Sequence, residues 1–428
     1  MNYHRYTLPN GLRLIVHEDA STPMAAVSVQ YDVGSRDESP ERTGFAHLFE
    51  HLMFGGSAHA PNYDEPLQRA GGENNAFTNN DLTNFYVSLP AANLDVALWL
   101  EADRMAHLNI DAEVLDVQRK VVVEEFKETC LNQPYGDAWH RISALAYRVH
   151  PYRWPTIGLA PEHIAEASLD EVRDFYERHY RAGNAIVAVA GAVRAEEVYR
   201  KVLRYFGDLP GGLPPKRALP TEPPVTEQRR ETVTARVAVD AVYVTFGMPH
   251  RTHADFFVLD LLTDVLAEGP SSRLYRRLLK ERELATTIDA YVTGTHDAGL
   301  VVLEAKPRDG VTLDRLEAAL FAELELLRRE PIPAIELEKV KNKLDSSMLF
   351  SELSVVNKAI NLCFYEGIGD LALINTEQDL YAAVSPADLR RCAREYLVPE
   401  RACVLHYRSS GEAEGERLPL PLAAELAE

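Results

Sequence analysis

Cysteine is scarce in this sequence, which has only Cys130, Cys363, Cys392 and Cys403 among its 428 residues. No two of them have a Cys-x-x-Cys spacing, so neither a disulfide framework nor a zinc site built from thiolates is expected. Reduced thiols are typical of the cytoplasm, and we therefore predict a cytoplasmic protein.

A long apolar run is also missing. No stretch approaches the roughly 20 residues of a membrane span, and residues 1–21 lack the apolar segment of a signal peptide. Basic residues are too few for a nucleic-acid-binding protein, because 45 Lys and Arg stand against 65 Asp and Glu. The sequence therefore predicts neither a membrane nor a nucleic-acid partner.

The length of the chain exceeds what one ordinary hydrophobic core accommodates, so two or more domains are expected. A Pro- and Gly-rich stretch without periodicity, residues 207–228, predicts a linker. Similar patterns recur on both sides of it at an offset of about 214–217 residues. One example is VSVQYDVG at 27–34 and VYVTFGMP at 242–249. This recurrence indicates an internal duplication.

Short strand patterns and helical patterns mix within each half, which is typical of an α+β fold. We predict two homologous domains, each a mainly antiparallel sheet with helices packed on one face. The predicted boundaries are 1–210 for the first domain, 211–228 for a Pro-rich linker, 229–410 for the second domain and 411–428 for a C-terminal tail.

The first half contains the stretch His47-Leu48-Phe49-Glu50-His51, in a predicted helix that ends at Gly55-Gly56. On a helix, His47 and His51 lie one turn apart on one face, with Glu50 beside them. Two such imidazoles can bind zinc, and a neighbouring carboxylate can act on water that the metal activates. The His-x-x-Glu-His order is that of the inverzincins, so the pattern predicts a zinc metallopeptidase.

The second half has no matching motif. Aligned through the helix end, His47, Glu50 and His51 fall opposite Leu261, Asp264 and Val265. We therefore expect a second domain without a metal site, whose role is structural or is to close over a substrate.

A catalytic zinc site needs a third protein ligand, and the best stretch for it is VQRKVVVEEFKE, residues 117–128. We predict a helix there, with an apolar face formed by Val121, Val122 and Phe126. Adjacent helix residues diverge by about 100°, so only one residue of the Glu124-Glu125 pair can face the metal. The residues themselves do not choose between the two.

The first half resembles the pitrilysin family, which includes insulin-degrading enzyme and the mitochondrial processing peptidase. The matching stretches are LPNGLRLIV, HLFEHLMFGG, AGGENNAFTNNDLTNFYVSLP, RKVVVEE, HPYRWPTIG and DFYERHYRAGNAIVAVAG. The resemblance runs from about residue 6 to residue 193 and continues more weakly beyond. It implies that Glu125 is the distal zinc ligand and Glu50 the general base. It also implies a catalytic role for position 118, where the family usually has Glu and this chain has Gln118.

By the same resemblance, Asn75, Ala76 and Phe77 belong to a strand edge that binds an extended peptide through main-chain hydrogen bonds. The expected activity is therefore that of a zinc-dependent endopeptidase, which cleaves extended peptides or unfolded segments. A non-catalytic scaffold or assembly subunit of the same family is the alternative. A peptide-binding module that holds zinc structurally is a third hypothesis.

The family also has an Arg and a Tyr, seven residues apart in its C-terminal half, that help to bind substrate. The corresponding stretch, residues 273–291, is predicted as a helix and has Leu279 and Thr286 at those positions. A slipped alignment would bring in Arg273, Arg276, Arg277 or Tyr275. Some bacterial relatives divide the metal motif and the Arg/Tyr pair between two chains. The resemblance therefore implies the metal subunit of a heterodimer, with a homodimer as the other arrangement.

Overall fold

The computed structural model describes residues 1–411, which form two compact units of discontinuous chain. The first unit comprises Met1–Phe126, Pro155–Leu219 and Ser347–Thr376. The second unit comprises Lys127–Trp154, Pro220–Ser346 and the described residues from Glu377 onwards. Apart from Gly411, the predicted C-terminal tail lies outside the described residues.

The strands of the described residues are between four and nine residues long. In chain order they are β1 (His4–Thr7), β2 (Arg13–Glu18), β3 (Met24–Tyr31), β4 (Glu73–Thr78), β5 (Thr83–Pro90), β6 (Ala185–Gly191), β7 (Arg229–Ala235), β8 (Ala241–Met248), β9 (Ala285–Val292), β10 (Gly299–Pro307) and β11 (Cys403–Ser409). The turn at Asn10-Gly11 joins β1 to β2, and Gly11 has the positive φ of 92° that favours glycine.

The α-helices of the first half of the chain are α1 (Phe45–Leu52), α2 (Asp64–Arg69), α3 (Leu94–His107), α4 (Ala112–Phe126), α5 (Ala138–Ala146), α6 (Pro161–Ala165), α7 (Leu169–His179) and α8 (Ala195–Phe206). Those of the second half are α9 (Ala254–Ala267), α10 (Leu313–Arg329), α11 (Ala334–Ser351), α12 (Val355–Gly367), α13 (Leu373–Ala383) and α14 (Pro386–Tyr396). Segments of π-helix occur at Lys127–Asn132 and Tyr275–Glu281. A capping box formed by Ser168 and Glu171 opens α7.

The sheet of the first unit has the strand order β1-β2-β6-β3-β5-β4 within the described residues. All neighbours are antiparallel except β2 and β6, which are parallel. One face carries Val27, Val29 and Val187 into a large apolar core, to which α1, α3, α7 and α8 contribute. The sequence predicts helices on one face of each sheet, and this face has them.

The other face of this sheet is also covered, and the predicted one-sided packing is wrong. Strand β6 is buried along its whole length, because Ile186, Ala188 and Ala190 pack with Ala26 against α12. The small alanine side chains let the helix approach the strands closely. Its Cys363 thiol lies 3.4 Å from the backbone oxygen of Ser28, as a buried hydrogen-bond donor.

The sheet of the second unit repeats this topology without an equivalent of β1 in the described chain. Its order is β7-β11-β8-β10-β9, and only the β7–β11 pair is parallel. One face packs against α9, α10 and α14, and the other packs against α5. The predicted α+β fold of two similar domains is therefore confirmed.

The compact units differ from the predicted contiguous domains. Helix α12 lies after the linker yet belongs to the first unit, and α5 lies before it yet belongs to the second. The predicted linker has no regular helix or strand between Phe206 and Arg229. Side chains of the linker nevertheless anchor it to each unit. Arg217 forms an ion pair with Asp32 in the first unit. Glu222 accepts hydrogen bonds from the backbone N–H groups of residues 148–150 in the second unit.

The helix predicted over residues 273–291 is shorter in the structure. Its helical part, Tyr275–Glu281, ends near Glu283, which has a positive φ of 50°. Strand β9 then begins at Ala285. No helix in residues 1–411 combines the length and the apolar character needed to cross a membrane.

Candidate metal and catalytic site

Helix α1 is fixed at its N-terminus by a glycine and a carboxylate. Gly44 has a φ of 88°, and a Cβ there would lie 2.8 Å from the backbone oxygen of Ile157. The Glu38 carboxylate accepts hydrogen bonds from the backbone N–H groups of Gly44 and Ala46, at 2.9 and 2.8 Å. It thereby satisfies donors that a helix start leaves unpaired, and its negative charge suits the helix dipole.

The apolar side of α1 packs into the core of the first unit. Phe49 is fully buried and stacks on the rings of Phe175 and Tyr180, with centroids 5.2 and 4.9 Å away. The polar residues of the motif lie on the other side and are half-buried. Core packing therefore sets the direction in which His47 and His51 point.

Helix α4 supplies the third side chain. Asp111 accepts hydrogen bonds from two backbone N–H groups at its start. The buried face of α4 consists of Leu115, Val122 and Phe126. Val121 is 45% exposed, so its predicted place on the apolar face is wrong.

The phase of α4 distinguishes the two adjacent glutamates. Glu125 flanks the buried face and points its carboxylate at the histidines of α1, whereas Glu124 is exposed. The Nε2 atom of His47 lies 3.6 Å from Oε1 of Glu125, and that of His51 lies 3.2 Å from Oε2. The structure thus brings together the three residues predicted as ligands.

These distances fit a zinc ion. Bonds of about 2.1 Å in a tetrahedral arrangement place neighbouring donor atoms about 3.4 Å apart, between the two observed separations. All three donor atoms lie within 4.8 Å of one another. The set of two imidazoles and one carboxylate is that of catalytic zinc sites, in which water takes the fourth position.

The electrostatics of the cluster also suit a cation. Burial lowers the pKa of His47, while the nearby Glu125 carboxylate acts in the opposite direction. The hydrogen bond from His51 holds the pKa of Glu125 below its ordinary value. A neutral imidazole and an ionised carboxylate are the forms that bind metal. Among the described residues, the buried Nδ1 atom of His47 has no hydrogen-bond partner.

Glu50 has a partner that the sequence analysis missed. The Thr78 hydroxyl donates a hydrogen bond of 2.6 Å to Oε2 of Glu50. Thr78 ends β4, which packs beside α1. The NNAFT stretch marks a strand but contains no signal that its last side chain turns towards Glu50.

The strand predicted to bind substrate lies at a sheet edge in the described part of the chain. Asn75, Ala76 and Phe77 pair with Tyr86, Phe85 and Asn84 of β5, and β4 is the last strand in the sheet order. Such a strand presents backbone donors and acceptors along its outer side. Its position next to α1 places an accessible edge beside Glu50.

Gln118 lies on α4 and is partly buried. Seven residues separate it from Glu125, so it shares a face with that residue but lies about 10 Å away along the helix axis. Its catalytic role, which the resemblance implies, stays a prediction.

The two positions of the expected Arg/Tyr pair lie in the second unit. Leu279 packs against the core of that unit, and Thr286 is exposed near the start of β9, with its hydroxyl donating to the Lys306 backbone oxygen at 3.3 Å. The nearby Arg273 and Arg277 are ion-paired with glutamates of the same unit. If the alignment is slipped so that one of these arginines takes the place of the expected Arg, its guanidinium group is already ion-paired within the second unit.

Comparison with known proteins places the chain in a family. Residues 13–158 match the family described as Insulinase (Peptidase family M16), and residues 166–344 match the Peptidase M16 inactive domain. The chain is 30% identical to the zinc protease PqqE of Helicobacter pylori over 399 residues. These aligned residues make up 91% of this chain and 89% of that protein. The chain belongs to peptidase family M16. This is the pitrilysin family predicted from the sequence motifs.

Other M16 proteins extend the comparison. The crystal structure of a protease from Helicobacter pylori superposes with a TM-score of 0.90 at 29% identity, and covers 95% of this chain and 99% of that one. A protein of Arabidopsis thaliana named probable mitochondrial-processing peptidase subunit beta is 26% identical over 355 residues, 80% of this chain and 66% of its own. Both M16 domains are thus represented in the chain.

Proposed function

We propose that this M16 protein is a zinc-dependent endopeptidase that cleaves extended peptides or unfolded segments. The observation that carries the proposal is the convergence of His47, His51 and Glu125 at zinc-site distances. Glu50 lies on the same helix as the histidines, and an accessible sheet edge lies beside it.

The side chains have distinct roles in this proposal. His47, His51 and Glu125 would hold zinc, which when bound polarises a carbonyl and lowers the pKa of water. Glu50 accepts the proton of the attacking water and passes it to the leaving amine. Thr78 holds the Glu50 carboxylate by its hydrogen bond. The outer edge of β4 binds the peptide main chain, so backbone hydrogen bonds rather than side-chain pockets give most of the binding.

We also propose that the chain is the metal-bearing subunit of a heterodimer. Leu279 and Thr286 carry neither the charge nor the phenol of the Arg/Tyr pair that the family resemblance leads one to expect. A relative in Arabidopsis thaliana is named as a beta subunit, which is compatible with divided labour. A partner chain of the same family would then supply the pair.

The Glu50→Gln substitution tests the enzyme proposal. It removes the base but keeps the size of the side chain, so cleavage of an unstructured fluorogenic peptide should fall by about 10²–10⁴-fold. The zinc content should stay at one equivalent in this site, as measured by elemental analysis. Glu124→Gln, on an exposed neighbour of Glu125, is the matched control and should keep activity. Unchanged turnover in Glu50→Gln would refute the base role.

The partner proposal has its own assay. The purified chain is tested alone and after mixing with a homologous chain that carries the Arg/Tyr pair. Activity should appear or increase strongly only in the mixture. Full activity of the isolated chain would contradict the heterodimer.

A non-catalytic subunit is the second candidate function. The match of residues 166–344 to an inactive M16 domain and the residues at 279 and 286 favour it. Metal content separates the two candidates. Protein purified without chelator should contain stoichiometric zinc if it is the enzyme, and its absence would favour the scaffold.

A further inference from the structure

A second group of metal-binding side chains lies in the first unit, away from the motif on α1. Asp103 and His107 are one turn apart near the C-terminal end of α3, so they share a face of that helix. His59 lies in the loop that follows α1. The donor atoms of the three residues lie within 4.8 Å of one another.

Backbone hydrogen bonds hold this loop against the end of α3. The N–H of Ala58 donates to the oxygen of His107, and the N–H of Asn109 donates to the oxygen of Gly56, both at 3.0 Å. Ser57 and Leu108 form an isolated β-bridge between them. The backbone therefore places His59 opposite His107, and their ring centroids are 5.4 Å apart.

The Asp103 carboxylate is the buried member of the group. It is 6% exposed, and its Oδ2 atom accepts hydrogen bonds from the Ser57 hydroxyl at 2.5 Å and the His59 backbone N–H at 3.1 Å. Burial alone would raise the pKa of Asp103, but the hydrogen bonds from Ser57 and His59 outweigh it and the pKa lies below its ordinary value. A fixed, ionised carboxylate thus faces two surface imidazoles.

A third group of acidic residues and a histidine in the described chain differs from this one, because its buried carboxylate is ion-paired with an arginine. In the second unit, Glu317 lies near His406 and Asp314, but Arg230 donates to both of its carboxylate oxygens, at 2.8 and 2.6 Å. A guanidinium already neutralises that carboxylate. Within residues 1–411, the hydrogen bonds to Asp103 come from a hydroxyl, a backbone N–H and an imidazole rather than from a guanidinium.

We infer that His59, Asp103 and His107 bind a divalent transition-metal ion such as Zn²⁺ at a site separate from His47, His51 and Glu125. Two imidazoles and a carboxylate suit zinc, cobalt or nickel, and water completes the coordination. Nδ1 of His59 and Oδ1 of Asp103 are 2.6 Å apart, which is a hydrogen-bond length and shorter than the roughly 3.4 Å between ligands of zinc. The His59 side chain is 64% exposed and can move outward as the ion replaces the shared proton.

The expected effect is on the loop that leaves α1. The ion would cross-link this loop to α3 and stabilise the folded first unit in proportion to its occupancy. Because the imidazoles are exposed, the ion should exchange readily with chelators.

The test is zinc stoichiometry on the full chain, measured by equilibrium dialysis in metal buffers from the nanomolar to the micromolar range. The wild type should bind a second molar equivalent. His59→Gln combined with His107→Gln should lose that equivalent and keep the first, together with peptidase activity. His4→Gln, at an exposed position on β1, is the matched control and should bind as the wild type does.

Cobalt absorption gives an independent measurement of the same site. The visible spectrum of the cobalt-loaded wild type should lose one component in the double variant and the other component in His47→Gln combined with His51→Gln. A wild type that binds no second equivalent, or a double variant that retains it, would overturn the inference. If the wild type instead binds only the equivalent that His59→Gln combined with His107→Gln removes, the proposed catalytic site fails and this inference stands. The two failures are therefore distinguishable.

Discussion

Helices α1 and α9 follow equivalent strands in two sheets of the same topology, but they have different compositions. In α9, the positions opposite His47 and His51 are Leu261 and Val265, which are buried in the core of the second unit. In α1, the same positions carry half-buried imidazoles. The comparison teaches that one copy of the fold uses this place for packing and the other uses it for polar side chains that packing alone would not select.

The position opposite Glu50 on α9 is also acidic. Asp264 is half-buried on α9, and burial raises its pKa to about 6, with the nearby Asp260 carboxylate adding to the effect and Lys343 opposing it. An acid in such a place opposes folding unless it is protonated or paired. Asp264 and Glu50 thus occupy similar places, but only Glu50 has metal-site residues beside it.

The largest expected effect is on zinc affinity, and it comes from removing Glu125, the proposed metal ligand on α4. Glu125→Ala should lower zinc affinity by at least about 10³-fold, more than the 10–100-fold cost of losing an outer partner of a metal ligand. Glu124→Ala should leave affinity unchanged, because that side chain is exposed. Competition with a chromogenic chelator measures both variants. Equal affinities in the two would show that α4 does not complete the site.

Exchanging residue types between the helices should have opposite effects on stability. Leu261→His places an imidazole in a fully packed core and should destabilise the second unit by about 3 kcal/mol. His47→Leu, in metal-free protein, removes a half-buried ring whose buried Nδ1 atom has no partner in the described chain, and should stabilise the first unit by about 1 kcal/mol.

Hydrogen exchange of the amides of α9 and α1 reports the two changes separately. Leu261→Met is the control for volume and should cost less than about 1.5 kcal/mol. If Leu261→His were neutral, the proposed packing role of α9 would fail.

The contact between Thr78 and Glu50 should have a smaller effect on catalysis. Thr78→Val removes a hydrogen bond to a carboxylate and should lower kcat by about 10-fold, which corresponds to about 1.4 kcal/mol. The KM should change less, because the β4 main chain is retained. Thr78→Ser keeps the hydroxyl and should restore most of kcat. A valine variant as active as the serine variant would contradict the positioning role.

The smallest effect should come from Asp264 and should depend on pH. Its folded pKa of about 6 lies above the ordinary 3.8, so the folded state holds a proton that the unfolded chain releases. This contribution to stability is fully present below about pH 4 and is lost as the pH rises through about 6.

Asp264→Asn should therefore be more stable than the wild type at pH 8 by about 1 kcal/mol, allowing for partial solvent screening. The two proteins should become similar near pH 4. Urea unfolding at several pH values measures the difference. A constant difference across that range would show that Asp264 does not titrate as described.

The sequence was sufficient for the elements that depend on local pattern. The capping box at Ser168, the turn at Gly11 and the helix of His47 and His51 follow from residue type and spacing over a few positions. The duplication was also visible, because the strand patterns recur at a constant offset. The glutamate facing the histidines was indicated only by the family resemblance, because the residue pattern alone gives no absolute phase for α4. The structure resolves it through the burial of Val122 and Phe126.

Contacts between distant segments were beyond the sequence pattern. The all-apolar sequence of β6 is typical of a buried strand, yet nothing in it specifies that α12, about 170 residues later, covers its second face. The same applies to Thr78, whose partner on α1 depends on how the sheet edge and the helix meet in space. Local spacing gave the two histidines, and tertiary packing determined the residues around them.

The late position of α12 in the chain has a consequence for biosynthesis. The ribosome completes residue 219 before it makes residues 347–376, and at 5–20 residues per second the delay is about 10–30 s. During this time the face formed by Ile15, Ala26 and Ile186 has no covering helix. We expect nascent chains that end before α12 to bind chaperones and to be cleaved readily by protease, and longer chains to become resistant. The first half of the chain, expressed by itself, would therefore lack α12 and would not fold into a stable unit.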